Sequence, residues 1–485
     1  MSDTIPDSGA SSWLHKSAAW LRSVGIPTEL GTGTDAGTER NTTERLKATL
    51  RRGSEVLSPR ELRRLLADLQ GAAASELSDI EGGRLAEQVM QWYGKASAEQ
   101  RLDLWHLLCE QFVPDVAKIQ QVRQKYEDAI GTASMGAAER QLRRAMLTPR
   151  LRLLQRFAVP PQGMRFLLDL RAELLPQLKA NDWLGALDAD LEYLFSTWFD
   201  VAFLEMRSLN WDSPASLLEK LIKYEAVHDI RSWDDLKNRL DSDRRCYGFF
   251  HPRLPNEPLI FVEVALVDKM SDSITPLLDE KAAAADLSKA STAIFYSISN
   301  TQTGLRGVSF GDSLIKNVVE QLLQEFPKLR QFATLSPIPG FRSWLGKNAD
   351  AVWESADKRL RGEVAKALGD EAASAAQWLA ACEQPLELDV ASPQAKLLQH
   401  AAAVYLGKTL VKERPADPVA RFHLGNGARV ERLNWAGDPS AKGVKQSYGL
   451  MVNYLYDLKR LDKHRALLAQ GKVPVSSAIE SQAKT

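Results

Sequence analysis

The spacing of apolar residues divides the chain into two regions. From about residue 42 to about 205, apolar residues recur every three or four positions, which is the period of one face of an α-helix. This pattern predicts a bundle of amphipathic helices, and it continues through "DADLEYLFSTWFDVAFLEMRSLNW" at 188–211. Residues 1–41 are rich in Ser, Thr, Gly and Asp, and this composition predicts a poorly ordered tail.

Two helix starts in the first region carry a capping box. Ser58 precedes a proline at the first helical position, and Glu61 follows three residues after the serine. Ser97 and Gln100 repeat the same spacing before another apolar run. In such a box each side chain satisfies a backbone N–H that the helix leaves unpaired. We therefore expect helices to begin just after Ser58 and Ser97.

The second region reads as strands alternating with helices. Helical patterns remain at 312–326, 357–368 and 371–382. Between them lie short apolar runs rich in β-branched and aromatic residues: "CYGFFHP", "LIFVEVALV", "TAIFYSIS", "FATLS" and "ARVERLNW". The alternation predicts an α+β or α/β domain around a mixed sheet. The chain is thus predicted to contain a helical domain at 42–205 and a mixed-sheet domain at 206–485.

Composition excludes several classes of protein. Lys plus Arg and Asp plus Glu number 62 each among 485 residues, so no overall charge favours binding to nucleic acid or to an acidic membrane. No apolar run reaches the roughly 18 residues that span a bilayer, and the N-terminus lacks the features of a secretory signal. Cys109, Cys246 and Cys382 form no metal-binding or disulfide pattern. We expect a cytoplasmic protein with reduced thiols.

A glycine-rich segment between a predicted strand and a predicted helix is a candidate anion site. Gly304, Gly307 and Gly311 precede the helix, and Arg306 lies among them. A helix N-terminus presents unpaired N–H groups, and glycine allows a phosphate to approach the backbone closely. The spacing matches neither the P-loop nor the dinucleotide fingerprint. A turn that binds nothing explains the pattern equally well.

Four longer stretches resemble the malonyl-CoA decarboxylase family. They are "FHPRLPNEPLIFVEVAL" at 250–266, "AIFYSISNTQTGLRGVSFGDSLIK" at 293–316, "FATLSPIPGFRSWL" at 332–345 and "FHLGNGARVERLNWAGDPSAKGVKQSYGLMVNYLY" at 422–456. The resemblance covers about 215–457 in the same order and extends more weakly into the helical half. It implies an N-terminal helical domain that mediates self-association as a dimer or tetramer, followed by an acetyltransferase-like (GNAT-type) α+β catalytic domain. It also implies conversion of malonyl-CoA to acetyl-CoA and CO2 without a metal, biotin or other cofactor.

The resemblance assigns roles to particular residues. It implies Ser336, His423 and Tyr456 as catalytic residues. The coenzyme A loop that it implies consists of Arg306, Gly307, Val308, Ser309, Phe310, Gly311 and Asp312. Ser309 departs from the resemblance, because the family members that this chain resembles carry a glutamate at that position. Any role of that acid is therefore not available to this chain.

The residue types suit a decarboxylation. Loss of CO2 leaves an enolate, which needs hydrogen-bond donors at its oxygen and a proton at its α-carbon. An imidazole titrates near neutral pH and suits His423 as proton donor. Ser336, followed by a double-proline turn, can hold the carboxylate or relay a proton to His423, and Tyr456 can add a hydrogen bond. Ser336 is not expected to be an acylating nucleophile, because no GxSxG elbow surrounds it.

Two other functions remain open at this stage. An acyl-CoA N-acyltransferase could use the same glycine loop but would transfer its acyl group to an amine. A catalytically silent scaffold would use the helical half to bind partners. His251, in "FFHPRLP", is interpreted as a structural residue.

Overall fold

The computed structural model describes residues 56–308 and 314–484. The tail predicted at 1–41 lies outside the described residues. The same holds for part of the predicted coenzyme A loop, namely Ser309, Phe310, Gly311 and Asp312. The described residues form two compact units. The first is the described part of Met1–Trp198 together with Gln302–Val308, and the second is Phe199–Thr301 together with the described part of Ser309–Thr485.

The first unit is helical, as its apolar period predicts. Its α-helices are α1 (Pro59–Ala73), α2 (Asp79–Lys95), α3 (Ala98–Gln111), α4 (Val116–Ala129), α5 (Met135–Met146), α6 (Pro149–Phe157), α7 (Gly163–Leu174) and α8 (Gly185–Trp198), with 3-10 turns at Leu175–Gln177, Asp182–Leu184 and Thr303–Leu305. Both capping boxes are present. The side chain of Ser58 accepts from the Glu61 N–H and Glu61 accepts from the Ser58 N–H, and Ser97 and Gln100 form the same pair.

The second unit is built around a mixed sheet. Its strands are β1 (Glu205–Leu209), β2 (Arg244–Phe250), β3 (Pro258–Val267), β4 (Thr292–Asn300), β5 (Gln331–Thr334), β6 (Ser336–Pro337), β7 (Leu410–Val411), β8 (Arg414–Pro415), β9 (Arg429–Asn434) and β10 (Met451–Leu455). The main sheet runs in the order β1-β2-β3-β4-β5-β10-β6, and β9 pairs with β10, while β7 and β8 form a separate hairpin. The β4–β5 pair is parallel, and the other strand pairs of the main sheet within the described residues are antiparallel.

Helices cover the sheet. They are α9 (Ala215–Tyr224), α10 (Trp233–Arg239), α11 (Thr275–Leu278), α12 (Leu314–Glu325), α13 (Phe341–Ser355), α14 (Lys358–Leu368), α15 (Ala375–Ala381), α16 (Pro393–Lys408), α17 (Pro418–Gly425), α18 (Ala441–Ser447), α19 (Leu461–Ala469) and α20 (Ser477–Gln482), with 3-10 turns at Val201–Phe203 and Pro385–Glu387. Strand β3 is buried at all but its last residue, which requires cover on both faces of the sheet. The α+β class predicted from the sequence is confirmed.

The prediction lacked five of the ten strands that the described residues form: β1, β10 and the two-residue strands β6, β7 and β8. The helical pattern was extended through 205–209, but this segment is strand β1 and pairs in register with Cys246–Phe250 of β2. The prediction was wrong there because a sheet edge supplies hydrogen bonds that outweigh a short local pattern. Strand β10 was not predicted, although it lies at the centre of the pairing between β5, β6 and β9. The five predicted strands all occur, as β2, β3, β4, β5 and β9.

Candidate functional site

The three predicted catalytic residues meet in the interior of the second unit. Ser336 Oγ lies 3.3 Å from His423 Nε2, and His423 Nδ1 lies 2.7 Å from the hydroxyl of Tyr456. Their exposed fractions are 5%, 3% and 3%, so the three groups are shielded from bulk water. Three residues that are far apart in the chain thus form one hydrogen-bonded row.

The sheet and one helix hold these side chains in place. Ser336 begins β6 and pairs with Val452 of β10. His423 lies in the last turn of α17, whose N-terminus is capped by Asp417. Tyr456 follows β10 directly, and its N–H donates to the carbonyl of Phe332 on β5. Ser336 and Tyr456 are held by the hydrogen bonds between paired strands, and His423 by a capped helix. Regular secondary structure rather than a loop therefore sets the geometry of the site.

Two further residues complete the row, and sequence reasoning missed both. Thr334 Oγ1 accepts from Ser336 Oγ at 2.8 Å and from the backbone N–H of Tyr454 at 3.1 Å. The ring of Tyr454 stacks on His423 with a centroid distance of 4.7 Å. Thr334 and Tyr454 each stand two residues before a predicted site residue. Period-2 alternation puts such pairs on one face of a strand, so recognising β10 would have found Tyr454.

The hydrogen bonds determine which imidazole nitrogen carries the proton. Burial raises the pKa of Tyr456 well above its usual value, so its hydroxyl stays protonated and donates a hydrogen bond to Nδ1. The Ser336 hydroxyl donates its hydrogen bond to Thr334, so the Ser336 oxygen accepts a hydrogen bond from His423. Both ends of the row therefore require a neutral imidazole protonated at Nε2.

Burial changes the chemistry expected of the imidazole. It lowers the pKa of His423 to about 3, since a charged ring would lose its hydration in this enclosed place. The expectation that the imidazole titrates near neutral pH therefore does not fit the described site. At pH 7 the group is neutral, and the proton it can give is the Nε2–H rather than that of an imidazolium.

A cavity adjoins this row in the same unit. It has a volume of about 100 Å³ and is bordered by Tyr456. The other lining residues are Ile315, Lys316, Val319, Asn426, Leu458, Leu461 and Arg465. A more open cavity of about 700 Å³ also reaches Tyr456, from the side of Ser291 and Arg330. A third cavity, of about 900 Å³, lies in the helical unit and touches none of the predicted site residues.

The described part of the glycine loop belongs to the helical unit. Arg171 is buried, pairs with Asp188 at 2.7 Å, and donates to the carbonyls of Gly304 at 2.7 Å and Arg306 at 3.0 Å. A Cβ on Gly304 would lie 2.1 Å from the carbonyl oxygen of Leu168, so this glycine is required for packing. This placement was not foreseen, because the sequence pattern assigned the loop to the sheet domain.

Gly307 differs from Gly304. Its φ of +82° lies in the left-handed region, and apart from its chain neighbours no atom of the described residues lies within 4 Å of the place where a Cβ would be. The backbone of Gly307 is therefore open on the side where a side chain would stand. Arg306 is exposed, and Val308 is buried. Of the predicted loop, these three residues are the described part.

The described residues contain neither a metal-binding cluster nor a membrane-spanning helix. Within 56–308 and 314–484, no group of three or more His, Cys, Asp or Glu side chains could hold a metal ion. No helix in the same ranges is long and apolar enough to span a membrane. All three cysteines are unpaired, and Cys246 and Cys382 are buried.

Family models match both halves of the chain. The model described as malonyl-CoA decarboxylase N-terminal domain matches residues 112–199, and the one described as malonyl-CoA decarboxylase C-terminal domain matches 202–485. The second match alone covers more than half of the chain and contains Ser336, His423 and Tyr456.

Relatives of known name and solved structures agree with the family models. The mitochondrial malonyl-CoA decarboxylase of Anser anser anser is 36% identical over 400 residues, which is 78% of this chain and 78% of that protein. The Rattus norvegicus enzyme of the same name is 36% identical over 405 residues, covering 78% and 80%. The crystal structure of malonyl-CoA decarboxylase from Rhodopseudomonas palustris has a TM-score of 0.74 at 40% identity, covering 87% of this chain and 99% of that one. The structure from Agrobacterium vitis has a TM-score of 0.76 at 38% identity, covering 87% and 100%.

Proposed function

Because this chain belongs to the malonyl-CoA decarboxylase family and is a carboxy-lyase that converts malonyl-CoA to acetyl-CoA and CO2, we propose that Ser336, His423 and Tyr456 perform its proton transfer. The observation that carries the proposal is the buried hydrogen-bonded row from Tyr456 through both nitrogens of His423 to Ser336. A relay needs its central member to accept on one side and donate on the other, and the two nitrogens of His423 allow this.

The chemical step breaks the bond between the α-carbon and the carboxylate. Its electron pair moves into the thioester to give an enolate, and CO2 leaves. The Ser336 hydroxyl, turned from Thr334 toward the substrate, then gives its proton to the α-carbon, Nε2–H replaces that proton, and Nδ1 takes the proton of Tyr456. A proton from water restores the tyrosine. A neutral relay is sufficient because an enolate carbon is a far stronger base than a phenolate.

The surroundings of the relay favour loss of charge from the substrate. The groups in contact with the imidazole are neutral hydroxyl and aromatic groups, namely Ser336, Tyr454 and Tyr456. A carboxylate brought beside them loses water without gaining a counter-ion from these groups. Its conversion to neutral CO2 relieves that cost.

We place the coenzyme A loop at Arg306–Asp312. Support comes from the open backbone of Gly307, where a phosphate could approach the chain without meeting a side chain. The 3-10 turn just before it, Thr303–Leu305, is anchored through Gly304 by Arg171, so the loop backbone starts from a fixed position. A fixed loop lowers the entropy that must be lost when a ligand binds.

Gly307→Val is expected to weaken coenzyme A binding at least tenfold. The valine places its side chain where the phosphate would approach and strains a left-handed residue by about 1–2 kcal/mol. Isothermal titration calorimetry with coenzyme A measures the effect. Gly131→Val is the matched control, because Gly131 lies in the same unit with a φ of +78° and open space beside it. Equal affinity of both variants and the wild type would argue against a phosphate at Gly307.

The activity itself is tested without any acceptor. Purified protein incubated with malonyl-CoA should release CO2 and acetyl-CoA in equal amounts. An N-acyltransferase would instead leave malonyl-CoA unchanged until an amine is added. A protein that bound no coenzyme A thioester at all would favour the scaffold hypothesis.

The pH profile should lack an inflection near 6.5. A histidine with that pKa would change kcat/KM about tenfold or more between pH 5 and 8, whereas His423, with a pKa of about 3, stays neutral throughout. The free energy of unfolding should decrease as the pH is lowered below 6.5, because the imidazole then binds a proton in the unfolded state but not in the folded state. The decrease is up to about 1.4 kcal/mol per pH unit. Rate profiles and denaturant midpoints between pH 5 and 8 measure both. An inflection near 6.5 that disappears in His423→Asn would refute the neutral imidazole.

We also propose that the helical domain, placed at 42–205, mediates self-association as a dimer or tetramer. Several large apolar side chains of this region are exposed: Ile80, Ile130, Met146, Leu147 and Tyr193. Analytical ultracentrifugation of Leu147→Glu should show a smaller species if this face is buried in the oligomer.

The cytoplasm is the proposed location, since unpaired cysteines persist there, and cell fractionation tests it.

A further inference from the structure

One residue that lines the cavity beside Tyr456 has an unsatisfied polar atom. Asn426, which follows α17, lines the cavity and is 7% exposed. Its Nδ2 donates to the carbonyl of Phe422 at 2.8 Å, so the orientation of the amide is determined. Its Oδ1 is buried and has no hydrogen-bond partner among residues 56–308 and 314–484. Leaving such an oxygen unpaired costs about 1–3 kcal/mol, so the cavity is built for a ligand that donates a hydrogen bond.

The chemistry of the lining defines that ligand further. Ile315, Val319, Leu458 and Leu461 give the cavity apolar walls that suit methylene groups. The amide oxygen accepts N–H or O–H groups and repels an anion. One end of the cavity is Tyr456, which belongs to the proton relay. The lining therefore suits an apolar chain that carries an N–H or O–H donor and ends at the reacting centre.

Two cations line the same cavity. Lys316 lies in the first turn of α12, and its Nζ is 3.8 Å from Oε1 of Glu320 on the same helix. Arg465 on α19 pairs with Asp462, a carboxylate that is 94% exposed. An exposed pair such as Lys316–Glu320 contributes little, about 0–1 kcal/mol, so Lys316 can turn to a phosphate at small cost. The cavity thus offers an amide acceptor, apolar walls and cations within one space.

We propose that Asn426 positions the pantetheine arm of the substrate by accepting a hydrogen bond from one of its amide N–H groups, while Lys316 and Arg465 contact the phosphates. The inference rests on the proposed function, because the arm must end at Ser336 and His423. It adds a determinant of substrate class: the site distinguishes an amide-bearing thioester from a simple alkyl thioester.

Shortened substrates test the assignment. The series is malonyl-CoA, malonyl-pantetheine, the malonyl thioester of N-acetylcysteamine, and the malonyl thioester of butanethiol, which has no amide. Asn426→Leu should lower kcat/KM about tenfold for the thioesters that carry the contacted amide and less than twofold for the butyl thioester. Lys316→Gln and Arg465→Gln should lower kcat/KM about fivefold for malonyl-CoA and leave malonyl-pantetheine unchanged.

A matched variant separates positioning from folding. Asn348 in α13 makes the same bond to the carbonyl four residues earlier, from its Nδ2 to Trp344 at 2.8 Å, away from this cavity. Asn348→Leu should lose similar stability with no dependence on the thioester.

Two outcomes overturn the inference. An equal loss of kcat/KM for all four thioesters in Asn426→Leu would mean that Asn426 has a structural role only. No loss of kcat/KM for any of them would mean that the cavity holds water. Failure of the wild type to decarboxylate malonyl-CoA would instead refute the proposed function, so the two failures are distinguishable.

Discussion

His423→Asn is expected to lower kcat for malonyl-CoA by about 10³-fold, with little change in the affinity for coenzyme A. The imidazole accepts at Nδ1 and donates at Nε2, so it passes a proton from one side to the other. An asparagine amide can occupy the space, but it cannot exchange a proton between its two ends. General acid–base groups contribute about 10²–10⁴-fold, and the estimate lies in that range.

The measurement is the rate of acetyl-CoA formation at saturating malonyl-CoA, together with the thermal midpoint of each variant. His400→Asn is the matched control, because His400 is equally buried and bonded through Nδ1 but lies outside the row. It should keep its activity. A His423→Asn enzyme with the kcat of the wild type would exclude the imidazole from the reaction.

Ser336→Ala should lower kcat by about 10²-fold, and the loss should be smaller than that of His423→Asn. The hydroxyl is the member of the row that faces away from Tyr456, and it is bonded to both His423 and Thr334. Without it, a water molecule can take its place but must first be ordered there, so part of the transfer survives.

Isotope incorporation in D2O checks the role of Ser336 beyond its rate. The wild type should place one deuterium on the methyl group of acetyl-CoA by a relay in which every donor exchanges with solvent. Ser336→Ala should give the same product at the lower rate, and no acyl group should appear on the intact protein by mass spectrometry. Ser447→Ala is the control, because this buried serine bonds only backbone carbonyls. A malonyl or acetyl adduct on Ser336 would instead establish covalent catalysis.

Local sequence rules predicted the parts of the fold that depend on neighbouring residues. The capping boxes at Ser58 and Ser97 occur as expected, because both partners lie within one helical turn. The apolar runs of β2, β3 and β4 were recognised for a similar reason, since their burial leaves a continuous pattern. Strands β1 and β10 were not, because each is stabilised by partners that are distant along the chain.

The site shows the same division. The motifs pointed to Ser336, His423 and Tyr456 through their resemblance to the family, and the catalytic roles of these residues stay a prediction. Thr334, Tyr454 and Asn426 were missed, because a threonine, a tyrosine and an asparagine are ordinary residues until a partner is beside them. Thr334 is distinguished by the hydrogen bond that it accepts from Ser336, and Tyr454 by the stacking of its ring on His423. Asn426 is distinguished by a side-chain oxygen that has no donor among the described residues.

By itself, the sequence determined the helical first half, the mixed sheet of the second, and the residue types that a decarboxylation requires. Tertiary structure alone decided that His423 is neutral, since its pKa depends on burial by distant segments. It also decided that Gln302–Val308 packs with the helical unit, through the buried guanidinium of Arg171. Solvation and hydrogen bonding depend on which groups are near in space, and the order of residues does not specify that directly.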